Sequence, residues 1–287
     1  MTLFIAALLG AIQGVFMFLP VSSTAHLVLA QHWLIRHDHP MPAPESPEMI
    51  LFDLVVHVGT LVSIIVVFWS SLKVFCIECV RQSLAWAGKG EKETSLLYPR
   101  LFLLGMFSVL CTGVLGLSLK AAFEHIFATP YMVGVTLILT GALLWWTDRL
   151  KPRRRGLKKI NAGVAGVIGL AQGMALMPGL SRSAMTIVFA LFTGLKRRWA
   201  AEYSFFLAIP TICAATLLQG MEVVSFGGLG GVSYAALLTG FVVAALVGIV
   251  SLKLVVYFLY RARLKVFSFY VWLLAAAVLT GLLDLSI

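Results

Sequence analysis

The feature that most constrains this chain is a series of long segments without any Asp, Glu, Lys or Arg. A helix that crosses a bilayer needs about 20 apolar residues, and most of the chain meets that requirement. The segments are continuously apolar rather than alternating, and helices satisfy their own backbone hydrogen bonds in hydrocarbon. The sequence therefore predicts an all-α integral membrane protein. The segments are 1–35, 54–72, 101–119, 125–147, 160–181, 203–221, 223–252 and 266–283.

Composition and charge placement support the same class. Only 12% of the residues are charged, whereas soluble domains carry about 25%. The net charge of +10 is also found in nucleic-acid-binding proteins, but here the Lys and Arg residues collect in four clusters between the apolar segments. That pattern is typical of cytoplasmic loops. We therefore expect membrane lipids as partners and no nucleic acid; the sequence leaves a homodimer open. The clusters lie in 73–100, 149–159, 196–198 and 253–265.

Two apolar segments do not fit a simple crossing. Segments 1–35 and 160–195 are too long for one span, and each is interrupted near its middle by Pro and Ser residues. Non-helical backbone at membrane depth is tolerated only where protein or a cavity surrounds it. We therefore predict two re-entrant helical hairpins, together with six transmembrane helices. The six crossings are expected near 51–70, 101–118, 131–147, 203–221, 234–252 and 266–284.

The two hairpins also share a sequence pattern. Residues 10–14 read GAIQG and residues 169–173 read GLAQG, and the same offset places Ser22 on Ser181 and Thr24 on Ser183. If the basic clusters are cytoplasmic, the first hairpin enters from outside, the second enters from the cytoplasm, and both termini lie outside. The sequence then predicts an inverted-topology repeat. Chance matches among helix-packing glycines are the alternative.

This repeat would form a single membrane domain over residues 1–287. Repeat one covers about 1–147, a basic cytoplasmic loop covers 148–159, and repeat two covers about 160–287. The binding site of a protein built in this way usually lies at mid-membrane, where broken helices meet.

Both predicted hairpin turns suit an anion. Each Ser-rich turn precedes an apolar half-helix, whose N-terminal N–H groups favour negative charge. Arg182 is costly in a membrane without a partner, and its planar fork suits phosphate. An ion pair with Glu202, or capping of backbone carbonyls, is the alternative for Arg182. The hydroxyl groups expected to bind phosphate belong to Ser22, Ser23, Thr24, Ser181, Ser183 and Thr186.

Three further residues are candidates for acid–base chemistry. His26 follows the first Ser-rich turn and could activate a hydroxyl or protonate a leaving oxygen. Asp53 and His57 are spaced i, i+4, so they share one helix face and could act as acid and base or bind a metal. A helix cap and a structural histidine are the alternative for that pair.

The turns and their flanks resemble the signatures of the bacitracin-resistance family, the bacterial undecaprenyl-pyrophosphate phosphatases. The similar stretches are GVFMFLPVSSTAH at 14–26, PGLSRSAMT at 178–186 and EYSFFLAIP at 202–210. The resemblance implies a hydrolase of the bacterial cytoplasmic membrane that converts polyprenyl pyrophosphate to the monophosphate at the outer face. That reaction recycles the carrier lipid of cell-wall synthesis. The resemblance also implies Ser23 or His26 as nucleophile and Arg182 as phosphate ligand.

One departure from the family pattern concerns a metal. The family usually has two Glu at i and i+4 on the first half-helix, associated with Mg²⁺ or Ca²⁺, whereas this chain has Gln13 and Met17. A Gln carbonyl can still contribute to binding, but a thioether does not suit these hard cations. The sequence thus leaves the metal unidentified. It also leaves open a polyprenyl-phosphate carrier or flippase, or a catalytically impaired paralogue that binds the lipid phosphate without hydrolysing it.

The predicted sidedness can be tested by cysteine labelling. In a variant lacking the four native cysteines, we expect a membrane-impermeant maleimide applied to intact cells to label Ser46→Cys but not Ser83→Cys. Ser46 precedes a crossing on the predicted outer side, whereas Ser83 lies within the first basic cluster. Labelling of Ser83→Cys alone would reverse the predicted orientation.

Overall fold

Helices are the main secondary structure of the part of the chain that the structure describes, with one isolated β-bridge between Arg155 and Leu195. The computed structural model describes residues 1–44, 46–89, 96–127, 130–177, 179–225 and 233–282, so Pro178 of the second predicted turn lies outside it. The described residues form eleven α-helices: α1 Leu3–Phe16, α2 Ser23–Arg36, α3 Pro47–Val67, α4 Trp69–Lys89, α5 Leu97–Phe127, α6 Pro130–Asp148, α7 Ala162–Met174, α8 Arg182–Phe192, α9 Arg197–Ser225, α10 Tyr234–Tyr260 and α11 Lys265–Leu279. A short 3-10 helix covers Leu157–Lys159.

Five of the six predicted crossings are helices long and apolar enough to span a bilayer. The sixth, predicted near 266–284, is α11, an apolar helix of 15 residues. The predicted class, an all-α integral membrane protein, is therefore confirmed, and the protein crosses the membrane several times. The five long spans are Pro47–Val67, Leu97–Leu119, Tyr131–Asp148, Arg197–Met221 and Tyr234–Tyr260.

Helix α4 was not foreseen from the sequence. Its residues contain part of the first basic cluster, and we predicted a loop there. The helix exposes apolar side chains at three- or four-residue steps, including Val74, Ile77 and Leu84, with charged residues such as Glu78 and Arg81 between them. This spacing is that of an amphipathic helix, which a search for continuous apolar segments does not detect.

Each of the two anomalous segments forms a pair of short helices. The first pair, α1 and α2, has 14 residues in each helix, and the second pair, α7 and α8, has 13 and 11. At 1.5 Å per residue, none of them reaches across a hydrocarbon layer of about 30 Å. The faces from which the pairs enter, and the inverted repeat, stay predictions.

The glycines of the two similar motifs lie in similar packing environments. Helix α1 packs closely on α10, where a Cβ added at Gly10 would lie 2.6 Å from the carbonyl oxygen of Gly240. Helix α7 packs closely on α5, where a Cβ at Gly169 would collide with the backbone of Ser108. Small residues thus let each short helix approach the backbone of a long one.

We expect Gly10→Ala to destabilise the protein by about 1–3 kcal/mol, since the added methyl group meets fixed backbone rather than a movable side chain. Gly105 is the matched control, because a Cβ there meets no described atom within 4 Å. Gly105→Ala should leave stability unchanged or raise it by up to about 1 kcal/mol. The thermal midpoint of unfolding in detergent measures both effects. Equal midpoints for the two variants would contradict the close α1–α10 contact.

Candidate functional site

The turns of the two helix pairs face a common cavity of about 440 Å³. Side chains from α3, α5 and α9 complete its walls. Of the residues predicted to form a site, seven line this cavity: Ser22, Ser23, Thr24, His57, Ser181, Arg182 and Ser183. Gln13, His26, Asp53 and Thr186 are not among its lining residues. Most of the predicted site residues therefore lie at the cavity, and their roles stay predictions.

The first turn holds one residue in an unusual backbone conformation. Ser22 has φ 69° and ψ 91°, a left-handed φ that is uncommon for a residue with a Cβ. Its carbonyl oxygen accepts a hydrogen bond from Nδ1 of His26 at 2.7 Å, one turn into α2. Non-glycine residues in this region concentrate at functional sites. Ser22 directly precedes α2 and Ser23 is its first residue. The first N–H groups of a helix have no partner within the helix.

The second turn is held by its own hydroxyl groups. Ser181 Oγ accepts from the backbone N–H of Ala184 at 3.4 Å and lies 3.1 Å from Ser183 Oγ. Ser183 Oγ also donates to the carbonyl oxygen of Leu19 at 3.4 Å, which joins this turn to the first one. Thr186 donates to the carbonyl oxygen of Arg182 at 2.9 Å. The Thr186 hydroxyl is therefore engaged within its own helix.

Three polar groups converge on the sulfur atom of Met17. Gln13 Nε2 lies 3.5 Å from Met17 Sδ, Arg182 Nη2 lies 3.8 Å from it, and Ser23 Oγ lies 4.0 Å from it. A thioether is only a weak acceptor. These donors therefore have no strong partner at this point, and a better acceptor in the cavity would compete well for them.

Arg182 has no carboxylate partner within the described ranges. Its alternative partner from the sequence, Glu202, instead accepts from Nε of Arg198 at 2.9 Å. The proposed Arg182–Glu202 pair is thus wrong, because Glu202 lies one helical turn from a closer cation. The positive charge of Arg182 remains available at the cavity wall.

His26 lies behind the first turn rather than at the cavity. Its Nδ1 faces the Ser22 carbonyl, which can only accept, so Nδ1 carries the proton and Nε2 accepts from the hydroxyl of Tyr270 at 2.6 Å. The ring of Phe16 stacks on it with centroids 3.8 Å apart. Both nitrogens of His26 are therefore occupied. The sequence did not indicate the contact with Tyr270, because only the folded chain brings α11 to α2.

His57 is placed differently. It lines the cavity, and its Nδ1 lies 2.7 Å from the carbonyl oxygen of Asp53, so the proton again belongs to Nδ1. Nε2 is then an unprotonated acceptor without a partner among the described residues. The carboxylate of Asp53 accepts instead from Nε2 of Gln31, at 3.1 and 3.2 Å. Gln31 is a further contact that the sequence did not indicate.

The cavity wall does not suit a divalent cation. No Asp or Glu is among its described lining residues, and no described group of three His, Cys, Asp or Glu side chains could hold a metal. Mg²⁺ and Ca²⁺ require several oxygen ligands, usually including a carboxylate. Gln13 retains one buried carbonyl oxygen without a hydrogen-bond partner in the described part of the chain, but its neighbour is the sulfur of Met17.

Comparisons with known proteins agree with this architecture. The family model described as bacitracin resistance protein BacA matches residues 6–277. A protein of Alkalilimnicola ehrlichii named undecaprenyl-diphosphatase is 73% identical over 286 residues, covering 100% of this chain and 99% of the relative. One of Halorhodospira halophila with the same name is 72% identical over 287 residues, covering 100% of both chains. One of Desulfatibacillum aliphaticivorans, also so named, is 37% identical over 278 residues and 96% of both chains.

The match to the family model over nearly the whole chain, together with full-length identities above 70%, settles the family. This chain belongs to the bacitracin resistance protein BacA family.

Proposed function

We propose that the protein hydrolyses undecaprenyl diphosphate to undecaprenyl phosphate and inorganic phosphate. Relatives of 72–73% identity over their full length carry the name undecaprenyl-diphosphatase, and the chain is a multi-pass membrane protein suited to a lipid substrate. The observation that carries the proposal is the position of Arg182. Its cation has no carboxylate partner among the described residues and faces the cavity beside Ser23.

The substrate's terminal phosphate would bind between the two turns. Arg182 can offer two parallel N–H donors to phosphate oxygens. Helices α2 and α8 begin at Ser23 and Arg182, so both N-terminal ends add N–H groups and a favourable dipole. Hydroxyl groups of Ser22 and Thr24 supply further donors on the same wall. All of these groups would contact phosphate. The apolar polyprenyl chain would therefore lie elsewhere, along the membrane-facing helices.

We propose Ser23 as the nucleophile and His57 as the general base. Ser23 Oγ attacks the terminal phosphorus while its proton passes to Nε2 of His57, and the bond from that phosphorus to the bridging oxygen breaks. Undecaprenyl phosphate leaves, and the proton on His57 neutralises the departing oxygen. Water then attacks the phosphoserine and gives a proton to His57, and the bond from phosphorus to Ser23 Oγ breaks. Ser23 Oγ takes the proton from His57, and inorganic phosphate is released. His26, with both nitrogens occupied, holds the Ser22 carbonyl and hence the turn.

The sidedness is part of the same proposal. With the basic clusters in the cytoplasm, both termini and the mouth of the first hairpin lie on the outer side of the bacterial cytoplasmic membrane. Hydrolysis there would regenerate the carrier lipid for cell-wall synthesis.

The binding and nucleophile roles are tested by two substitutions. We expect Arg182→Ala and Ser23→Ala each to lower phosphate release from undecaprenyl diphosphate by about 100-fold or more, because each removes a group that acts on the reacting phosphate. The matched controls are Arg263→Ala and Ser70→Ala, which change exposed residues away from the cavity. Purified proteins with equal thermal midpoints should be compared.

Undiminished release in both cavity variants would overturn these assignments. Movement of polyprenyl phosphate between the leaflets of liposomes, without phosphate release by the unaltered protein, would instead identify a carrier.

The choice of base is tested by comparing the two histidines. His57→Gln should lower kcat by about 100-fold with little change in KM, because it removes proton transfer but not a phosphate ligand. His26→Gln should lower kcat less, since it loosens the turn without removing the base. An unchanged kcat in His57→Gln would exclude His57 from the proton transfer.

A further inference from the structure

We infer that this chain binds and hydrolyses the diphosphate without a divalent cation, and that Met17 is the residue that makes this so. The inference rests on the proposed phosphatase function. It starts from two observations of the cavity: no carboxylate lies among its described lining residues, and Arg182 is the one Lys or Arg among them. A divalent cation needs anionic oxygen ligands, whereas the cavity offers the guanidinium group of Arg182 and the thioether of Met17.

Charge balance explains why a metal and a carboxylate go together at this point. Met17 Sδ, at the δ position where a glutamate has its carboxyl carbon, lies 3.8 Å from Arg182 Nη2 and 4.0 Å from Ser23 Oγ. A carboxylate in that place would form a charge-assisted pair with Arg182 and occupy the donors that phosphate needs. An added cation would then be required to release Arg182 and to restore positive charge. With Met17, the charge of Arg182 is available to phosphate directly.

The thioether also gives the site a defined geometry, at little cost to phosphate binding. Gln13, Ser23 and Arg182 all point at Met17 Sδ, so their side chains are held near one point before substrate arrives. Sulfur is a weak acceptor, and a phosphate oxygen forms much stronger hydrogen bonds with the same donors. The neutral amide of Gln13, whose Nε2 lies 3.5 Å from Met17 Sδ, adds a donor rather than a competing negative charge.

The test compares Met17→Glu with Met17→Leu, which conserves volume but lacks the sulfur. Phosphate release is measured in excess EDTA and then with graded Mg²⁺ or Ca²⁺. We expect the unaltered protein to keep its rate in EDTA essentially unchanged, and Met17→Leu to be equally insensitive to EDTA. Met17→Glu should lose at least tenfold in EDTA, corresponding to about 1.4 kcal/mol, and recover with Mg²⁺ or Ca²⁺.

A binding measurement separates this inference from the proposed function. Inorganic pyrophosphate should raise the thermal midpoint of the unaltered protein in EDTA, and Arg182→Ala should abolish that shift. Turnover or pyrophosphate binding that vanishes in EDTA and returns with Mg²⁺ would overturn the inference, as would Met17→Glu remaining fully active in EDTA. EDTA-insensitive pyrophosphate binding without turnover in any buffer would support metal-independent binding, but it would overturn both the inferred metal-independent hydrolysis and the proposed function.

Discussion

The structure depends on the requirement that backbone polar groups inside a membrane find partners within the protein. Helices meet this requirement alone, but the two turns that interrupt segments 1–35 and 160–195 do not. Each turn is therefore stabilised by hydrogen bonds from hydroxyl or imidazole groups, as His26 does for Ser22 and Ser183 does for Leu19. Because the turns face each other, their remaining donors share one cavity. The hydrogen-bonded turns of the interrupted helices therefore create a polar site in the protein interior.

Close helix packing determines where that site lies. Gly10 and Gly169 let the first helix of each pair contact the backbone of a long helix, α10 or α5, and so place each turn. The second helix of each pair then starts at the cavity, α2 at Ser23 and α8 at Arg182. Uncharged residues at 13 and 17 leave the site with a net positive wall. The close packing of the short helices on the long ones thus arranges N–H groups, hydroxyl groups and one cation around a volume that fits a phosphate.

Much of this could be predicted from the sequence because it depends on local patterns. The lengths of the segments without charged residues indicated the spanning helices. The Pro and Ser residues indicated where segments 1–35 and 160–195 are interrupted. Helix α4 was missed because amphipathic spacing gives no continuous apolar run. The sequence also could not show that Nε2 of His26 has a hydrogen-bond partner whereas Nε2 of His57 has none among the described residues. The partner of His26 is Tyr270, which is 244 residues away in the chain. Partners so distant in sequence become visible only when the helices pack.

The proposed function depends on phosphate binding to the guanidinium group of Arg182 between the two turns. This contact can be measured by solid-state NMR, as a dipolar coupling between ¹⁵N-labelled arginine side chains and the ³¹P nuclei of a bound non-hydrolysable undecaprenyl diphosphate analogue. We expect a coupling that corresponds to an N–P separation below about 4 Å, as charge-assisted hydrogen bonds require, and its loss in Arg182→Lys, which lacks the guanidinium nitrogens. A close N–P contact that persists in Arg182→Lys, or no such contact with the analogue bound, would contradict it.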